Sequence, residues 1–277
     1  MSISVTPLSR ALGAEITGVD LSKPLAPTDV TRIERALTDH LVIVVRAQSL
    51  KPAELLRALR LFGDNMLQHR SDILLDGYPE IAVLDSRNAP IEADGEAYPD
   101  GSRDWHTDHT NHARPPKVTA LHAIKLPSGG GGDTGFANMH AAFDALPSEL
   151  KAKLAPLKSH NKLENHAYVA EADKARFGSV QTHPIIRTHP VTGRRAVYIH
   201  PGKAVKIDGM TETETRSFID ALMPHLIKPE FTYRHQWKPG DLVLWDNRSL
   251  LHLAHRDYDP RQGRIMHRVL LQGEVPA

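Results

Sequence analysis

The chain has 277 residues, with 34 Lys plus Arg against 33 Asp plus Glu, and no cysteine. That length makes one large domain or two small ones, with room for a sizeable core. A net charge of +1 gives no reason to expect nucleic acid or an anionic membrane as partner, and the missing cysteines exclude disulfides, thiolate metal sites and cysteine nucleophiles.

Val5 to Leu8 and Ala14 to Val19 read as a small strand pair around Gly13. The start, Met1-Ser2-Ile3-Ser4-Val5-Thr6-Pro7, lacks the basic and then apolar pattern of a signal peptide, so a cytoplasmic location is expected. Thr28-Asp29 caps a predicted helix through His40, with Val30, Ile33, Leu37 and Leu41 on one face. Leu41 to Val45 is a β-branched apolar run suited to a strand buried on both sides. A second helix is predicted from Lys51-Pro52 to Gly63-Asp64, carrying Leu55, Leu56, Leu59 and Phe62.

From Ile81 onward the texture changes to short strands: Ile81 to Leu84, Val118 to Ile124 and Thr134 to Asn138. Pro90 to Gly101 is polar and acidic, either a loop over a site or a solvated surface loop. Pro127 to Asp133 is a glycine-rich turn, Ala141 to Leu154 reads as helix, and residues 159–183 read as a polar insertion without a period. Ile185 to Thr188 and Ala196 to His200 form a predicted hairpin, and Thr211 to Ile227 an amphipathic helix with Phe218, Leu222 and Leu226 on one side. Three strands close the chain: Phe231 to Trp237, Asp241 to Trp245 and Arg264 to Gln272. Many short strands with a few helices favour a β-sandwich or barrel with helices packed outside. No apolar run approaches the ~18 residues that cross a bilayer.

Trp105-His106-Thr107-Asp108-His109-Thr110 is the stretch that carries chemistry. On an extended strand, side chains two residues apart share a face, so His106 and Asp108 would reach one point together. A second histidine would complete a facial triad of the kind that holds non-haem Fe(II). With 17 histidines in the chain, His-x-Asp alone is a weak signal. Two later stretches strengthen it: Trp245-Asp246-Asn247-Arg248 followed by His252, and Gly263-Arg264-Ile265-Met266-His267-Arg268. His255, three residues past His252, is the rival third ligand, and His109 reads as a pocket-edge group.

With Trp105 to Asp108 and Gly131-Gly132-Asp133-Thr134, these landmarks resemble the taurine dioxygenase and dichlorophenoxyacetate dioxygenase family of Fe(II)/2-oxoglutarate-dependent oxygenases. The match runs from Gly13-Ala14-Glu15-Ile16 to Arg268, which implies a single domain over residues 1–277. The resemblance implies a mainly β fold, a double-stranded β-helix (jelly-roll) barrel with flanking helices. It assigns Fe(II) to His106, Asp108 and His252, and the distal carboxylate of 2-oxoglutarate to Arg264 and Thr134. Read without it, Arg264 is an ordinary strand-start arginine and Thr134 an ordinary strand threonine. Arg268, four residues after Arg264 and so on the same strand face, would contact the anionic group of the primary substrate, and His69 would touch the substrate. The implied reaction consumes O2 and 2-oxoglutarate, hydroxylates a small anionic organic substrate, and releases succinate and carbon dioxide. Family members are often homo-oligomers. The alternatives are a metal-dependent hydrolase, which has no use for an arginine dedicated to 2-oxoglutarate, and a non-catalytic metal- or small-molecule-binding barrel, which would tolerate replacement of Arg264.

Overall fold

The computed structural model describes residues 3–68, 70–89, 104–163 and 170–277. The predicted loop at Pro90 to Gly101 and His69 lie outside the described residues. β1 (Ser4–Pro7) and β2 (Ala14–Thr17) pair antiparallel as the sequence suggests. α1 (Pro27–His40) starts earlier than Thr28, with Ala26 as a cap that makes no side-chain bond. Proline at the first helical position needs no N–H partner, and Asp29 then sits in the first turn, where its charge suits the helix dipole. Next come β3 (Val42–Val45) and α2 (Pro52–Arg60), which ends short of the expected Gly63. β4 (Leu74–Leu75), β5 (Tyr78–Asp85), β6 (Val118–Lys125) and β7 (Thr134–Asn138) follow.

The single helix expected over Ala141 to Leu154 is two, α3 (Met139–Ala145) and α4 (Ser148–Leu154), because Pro147 interrupts it. The region read as an insertion carries order: β8 (Lys158–Asn161), α5 (Glu171–Phe177) and β9 (Gln181–Pro184). β10 (Ile186–Thr188) and β11 (Arg195–Val197) make the predicted hairpin. After β12 (Ala204–Ile207), α6 (Glu212–Leu226) opens on a capping box between Thr211 and Glu214. β13 (Thr232–His235), β14 (Leu242–Asp246), β15 (Leu250–Ala254) and β16 (Ile265–Leu271) complete the chain.

One eight-stranded sheet runs β1-β2-β3-β14-β6-β16-β5-β4, and a three-stranded sheet runs β13-β7-β15. β3 is paired on both sides and buried throughout, as its unbroken β-branched run requires. Alternate residues of the large sheet serve two cores. Ile43, Val45, Leu242, Leu244, Val118 and Ala120 face α1 and α2, packing with Ile33, Leu37, Leu55 and Leu59. Val42, Val44, Val243, Trp245, Leu121 and Met266 face the other way and pack with Phe136 of β7 and Leu250 of β15. Each such buried Val, Ile or Leu contributes roughly 1.5–3 kcal/mol. α3, α4 and α6 cover the far side of the small sheet through Phe143, Leu154, Ile219 and Leu222. Two sheets facing across one core, with helices outside each, are a jelly roll, although the sheets do not close into one continuous hydrogen-bonded barrel. No helix among the described residues is long and apolar enough to cross a membrane.

Histidines sit throughout this interior. Burial pushes the pKa of His122, His140, His183, His235 and His267 below the ordinary value. The unfolded chain therefore binds more protons than the folded one below about pH 6.5, the ordinary histidine value, and stability rises with pH across that window. Each extra proton taken up on unfolding tilts stability by about 1.4 kcal/mol per pH unit. We expect the urea midpoint of the metal-free protein to be flat above about pH 7.5 and to fall steadily below about 6.5. A midpoint that rises on acidification would contradict this account.

Candidate active site

His106 forms an isolated antiparallel bridge with His252 of β15. His106 N donates to His252 O at 3.0 Å, and His252 N donates to His106 O at 2.7 Å. Side chains of directly opposed residues project to the same side, and the two imidazole centroids lie 4.1 Å apart. The chain turns immediately afterwards, which brings Asp108 Oδ1 to 3.7 Å from both His106 Nε2 and His252 Nε2. The three ligand atoms all lie within 4.8 Å of one another. His106 and Asp108 thus converge as expected, but by a different device from strand alternation. Only His106 pairs with a neighbouring strand, and Asp108 opens a turn whose next residue, His109, has φ 50°.

Hydrogen bonds orient two of the three ligands, His106 and Asp108. His106 Nδ1 lies 2.8 Å from Asp104 O, which places the ring proton on Nδ1 and leaves the Nε2 lone pair facing the centre. Thr119 of β6 donates to Asp108 Oδ2 at 2.5 Å. Thr119 in turn accepts from Asn247 Nδ2 at 2.7 Å, and Asn247 Oδ1 accepts from Trp245 Nε1 at 3.1 Å. Thr107, whose side chain turns away from the centre, donates to Asn247 O at 2.6 Å. Asp246, next to Asn247, is clamped by Arg248 at 2.8 and 2.6 Å and by His189 at 3.0 Å. Burial opposes its ionised form, but these partners outweigh burial and hold the carboxyl below its ordinary range.

The three ligand side chains are mostly buried, with 9, 10 and 9% of their surface exposed. Burial pushes His106 down to about 3, with His252 adding to the effect, and burial likewise lowers His252. Burial alone would raise Asp108, but His252, His106, Arg268 and the Thr119 hydroxyl together keep it low. Two neutral imidazoles and one carboxylate are the donor set that suits a first-row divalent ion such as Fe(II), and three protein donors leave further coordination positions free. Among the described residues this is the one group of three acidic or histidine side chains close enough to share an ion. His255, the rival third ligand, lies outside it, its backbone N–H bonded to Asp133 O at 2.9 Å.

Arg264 and Thr134 meet across Trp237. Trp237 Nε1 donates to Thr134 Oγ1 at 3.0 Å, and the Arg264 guanidinium lies 5.6 Å from the Trp237 ring centre. Arg264 is buried and donates from Nε to Gly132 O at 3.0 Å. The run of glycines here has a steric reason. Gly132 is left-handed (φ +72°), and a Cβ on it would lie 2.9 Å from Arg264 Cδ. On Gly131 (φ +82°) a Cβ would lie 2.5 Å from Asp257 O. Arg268 faces the core side of β16, as its spacing from Arg264 predicts, because the bulge in the β6–β16 ladder falls on β6. Its Nη2 and Nε donate to Gln68 Oε1 at 3.1 and 3.3 Å.

Sequence reading missed Thr119, Asp104, His200 and Lys203. Thr119 is a polar residue in the otherwise apolar start of β6, a signal that was there to be read. His200 packs its ring 5.2 Å from that of His106, and Lys203 Nζ lies 3.2 Å from His200 Nε2. No periodicity marks either residue. For Thr119→Val we expect divalent-metal affinity to fall about 10–100-fold, as for lost outer-shell partners generally, with the fold retained. Metal titration alongside circular dichroism reads both, and unchanged affinity would show that the hydroxyl does not hold Asp108 for the ion.

The model of the taurine catabolism dioxygenase TauD, TfdA family matches residues 4–270. An alpha-ketoglutarate-dependent sulfate ester dioxygenase of Pseudomonas putida is 33% identical, over 100% of this chain and 91% of its own. An alpha-ketoglutarate-dependent 2,4-dichlorophenoxyacetate dioxygenase of Cupriavidus pinatubonensis is 30% identical over 97% of each. A crystal structure of AAD-2 in complex with Mn(II) and N-oxalylglycine superposes with a TM-score of 0.83 at 29% identity, covering 100% of this chain and 99% of that one. The chain belongs to the TauD, TfdA family of alpha-ketoglutarate-dependent dioxygenases.

Proposed function

We propose that this enzyme hydroxylates a small anionic organic substrate, a sulfonate, a sulfate ester or an aryloxy or alkyl carboxylate, through the Fe(II) site at His106, Asp108 and His252. The observation that carries the reading is the convergence of these three donors on one point. Relatives of this chain are named for sulfate ester and 2,4-dichlorophenoxyacetate oxidation, which supports an anionic substrate. In the balanced reaction, substrate, O2 and 2-oxoglutarate give hydroxylated substrate, succinate and carbon dioxide. The chemistry supplied by Fe(II), when bound, is the coupling of oxygen activation to that oxidative decarboxylation.

The protein's own part is to hold and orient. Arg264 takes the distal carboxylate of 2-oxoglutarate, since its fork is planar and permanently charged. Thr134, already an acceptor for Trp237 Nε1, turns its hydroxyl proton to the same carboxylate. Arg268 takes the anionic group of the substrate, braced by Gln68, whose Nε2 donates to Glu80 O at 3.0 Å. His69 follows Gln68 in the chain and belongs to the same reading as a substrate contact. The packing that leaves these side chains mostly buried would limit bulk water at the centre. Where the hydroxylated carbon bears oxygen, nitrogen or sulfur, the product can break down by losing that group. A cytoplasmic, homo-oligomeric, single-domain enzyme is part of the same proposal, and sedimentation reads the oligomer directly.

The test is succinate formation by purified protein with Fe(II), ascorbate and 2-oxoglutarate across small sulfonates, sulfates and aryloxy acids. We expect one class to stimulate it and His106→Ala to abolish it. For Arg264→Lys we expect KM for 2-oxoglutarate to rise about tenfold or more, since an ammonium cannot reproduce the bidentate pair. No consumption of 2-oxoglutarate under any condition, with metal bound, would overturn the proposal in favour of a hydrolytic or purely metal-binding role.

A further inference from the structure

Resting on the reading of Arg264 as the grip on the distal carboxylate of 2-oxoglutarate, we infer that Asp257 is a positioning residue for that grip, acting through the backbone of Gly132. Gly132 is bonded on both sides. Its O accepts from Arg264 Nε at 3.0 Å, and its N donates to Asp257 Oδ1 at 2.9 Å. With Nε given to Gly132, the guanidinium keeps its Nη1 and Nη2 pair as the fork for a carboxylate. Where Gly132 O stands therefore sets the line of that fork. Gly132 cannot set it alone. It ends a run of left-handed glycines, Gly130, Gly131 and Gly132, at φ 79°, 82° and 72°, whose backbone freedom something else must remove. The bond to Asp257 removes it.

Asp257 is itself held. Its Oδ2 accepts from Arg234 Nη2 at 2.5 Å, and Arg234 Nε donates to Asp133 Oδ2 at 2.8 Å. Asp133 O accepts from the backbone N of His255, two residues before Asp257, at 2.9 Å. Asp257, Arg234, Asp133 and Gly132 thus close a ring across the loop after β15, strand β13 and the turn before β7. Thr134 begins β7 directly after Asp133, so the ring anchors both residues read as carboxylate contacts. The Gly132 N–H first, and then Arg234, hold the Asp257 carboxyl below its ordinary range against its partial burial, which keeps it an ionised acceptor. Arg234 and Asp257 keep 46 and 47% of their side-chain surface exposed, and ion pairs so exposed contribute little to folding. What the ring fixes is a direction, that of the Arg264 guanidinium.

The test is calorimetric titration of the full chain loaded with Mn(II), using 2-oxoglutarate and 2-oxobutanoate, which has the same 2-oxo acid end and lacks the distal carboxylate. The ratio of the two affinities measures the distal grip alone. We expect Asp257→Ala to lower that ratio about tenfold, the scale of one hydrogen bond to a charged group, with Mn(II) affinity unchanged. Asp257→Asn should keep most of the ratio, because its amide oxygen can still accept from Gly132 N. A ratio unchanged in Asp257→Ala, whether both ligands weaken equally or neither does, overturns the inference, as does Asp257→Asn behaving no better than Asp257→Ala. Should Asp257→Ala not fold by circular dichroism, Arg234→Met, which removes the brace on Asp257, carries the test: a lowered ratio is expected and an unchanged one overturns. If 2-oxoglutarate does not outbind 2-oxobutanoate on wild type, the reading of Arg264 falls as well. A wild-type advantage that survives Asp257→Ala sinks this inference alone.

Discussion

The site depends on two backbone hydrogen bonds. By exchanging N–H and C=O groups, His106 and His252 lock together segments 146 residues apart in the chain, at 3.0 and 2.7 Å. Neither residue needs a long strand around it on the His106 side. One bridge fixes the spacing of the two imidazoles, and the turn after it delivers Asp108. A metal centre needs its donors placed to within a fraction of an ångström, which a loop alone supplies poorly and a sheet supplies well. Here β15 contributes the rigid half, and the His106 segment borrows that rigidity through the bridge.

The large sheet provides the rest of the support. Asp108 is steadied by Thr119 from β6, and Thr119 by Asn247 just past β14, so two adjacent strands brace the one anionic ligand. Trp245 serves twice. Its ring packs 4.8 Å from His252, and its N–H orients Asn247. Loss of any member leaves a buried polar group without its partner, which costs more than the bond itself is worth. The tight cluster of Asp246, Arg248 and His189 beside it keeps the Asn247 backbone in place without touching the centre.

Much of this was legible in the sequence because its signals are local. The run Val42 to Val45 and the strand Thr134 to Asn138 have the composition of the elements they form, and Thr211 with Glu214 marks a helix start. The ligands themselves came from short motifs in order. What could not be read is what tertiary contacts decide. β15, the strand that holds His252, is five residues long and follows β14 after three, so its sequence looks like a tail of its neighbour. β8 and β9 are short and polar because their residues satisfy one another across a small sheet rather than burying an apolar face. Thr119 and Lys203 acquire meaning only from what stands opposite them, Asp108 in one case and His200 in the other.

The central claim is that His106, Asp108 and His252 make a single iron site organised by one bridge between two segments. Anaerobic equilibrium dialysis with Fe(II), on wild type and on His106→Ala, Asp108→Ala and His252→Ala, measures this most directly. The expected result is one high-affinity Fe(II) per chain in wild type and none in each variant, with folding retained. One Fe(II) still held tightly by any of the three folded variants would contradict the account.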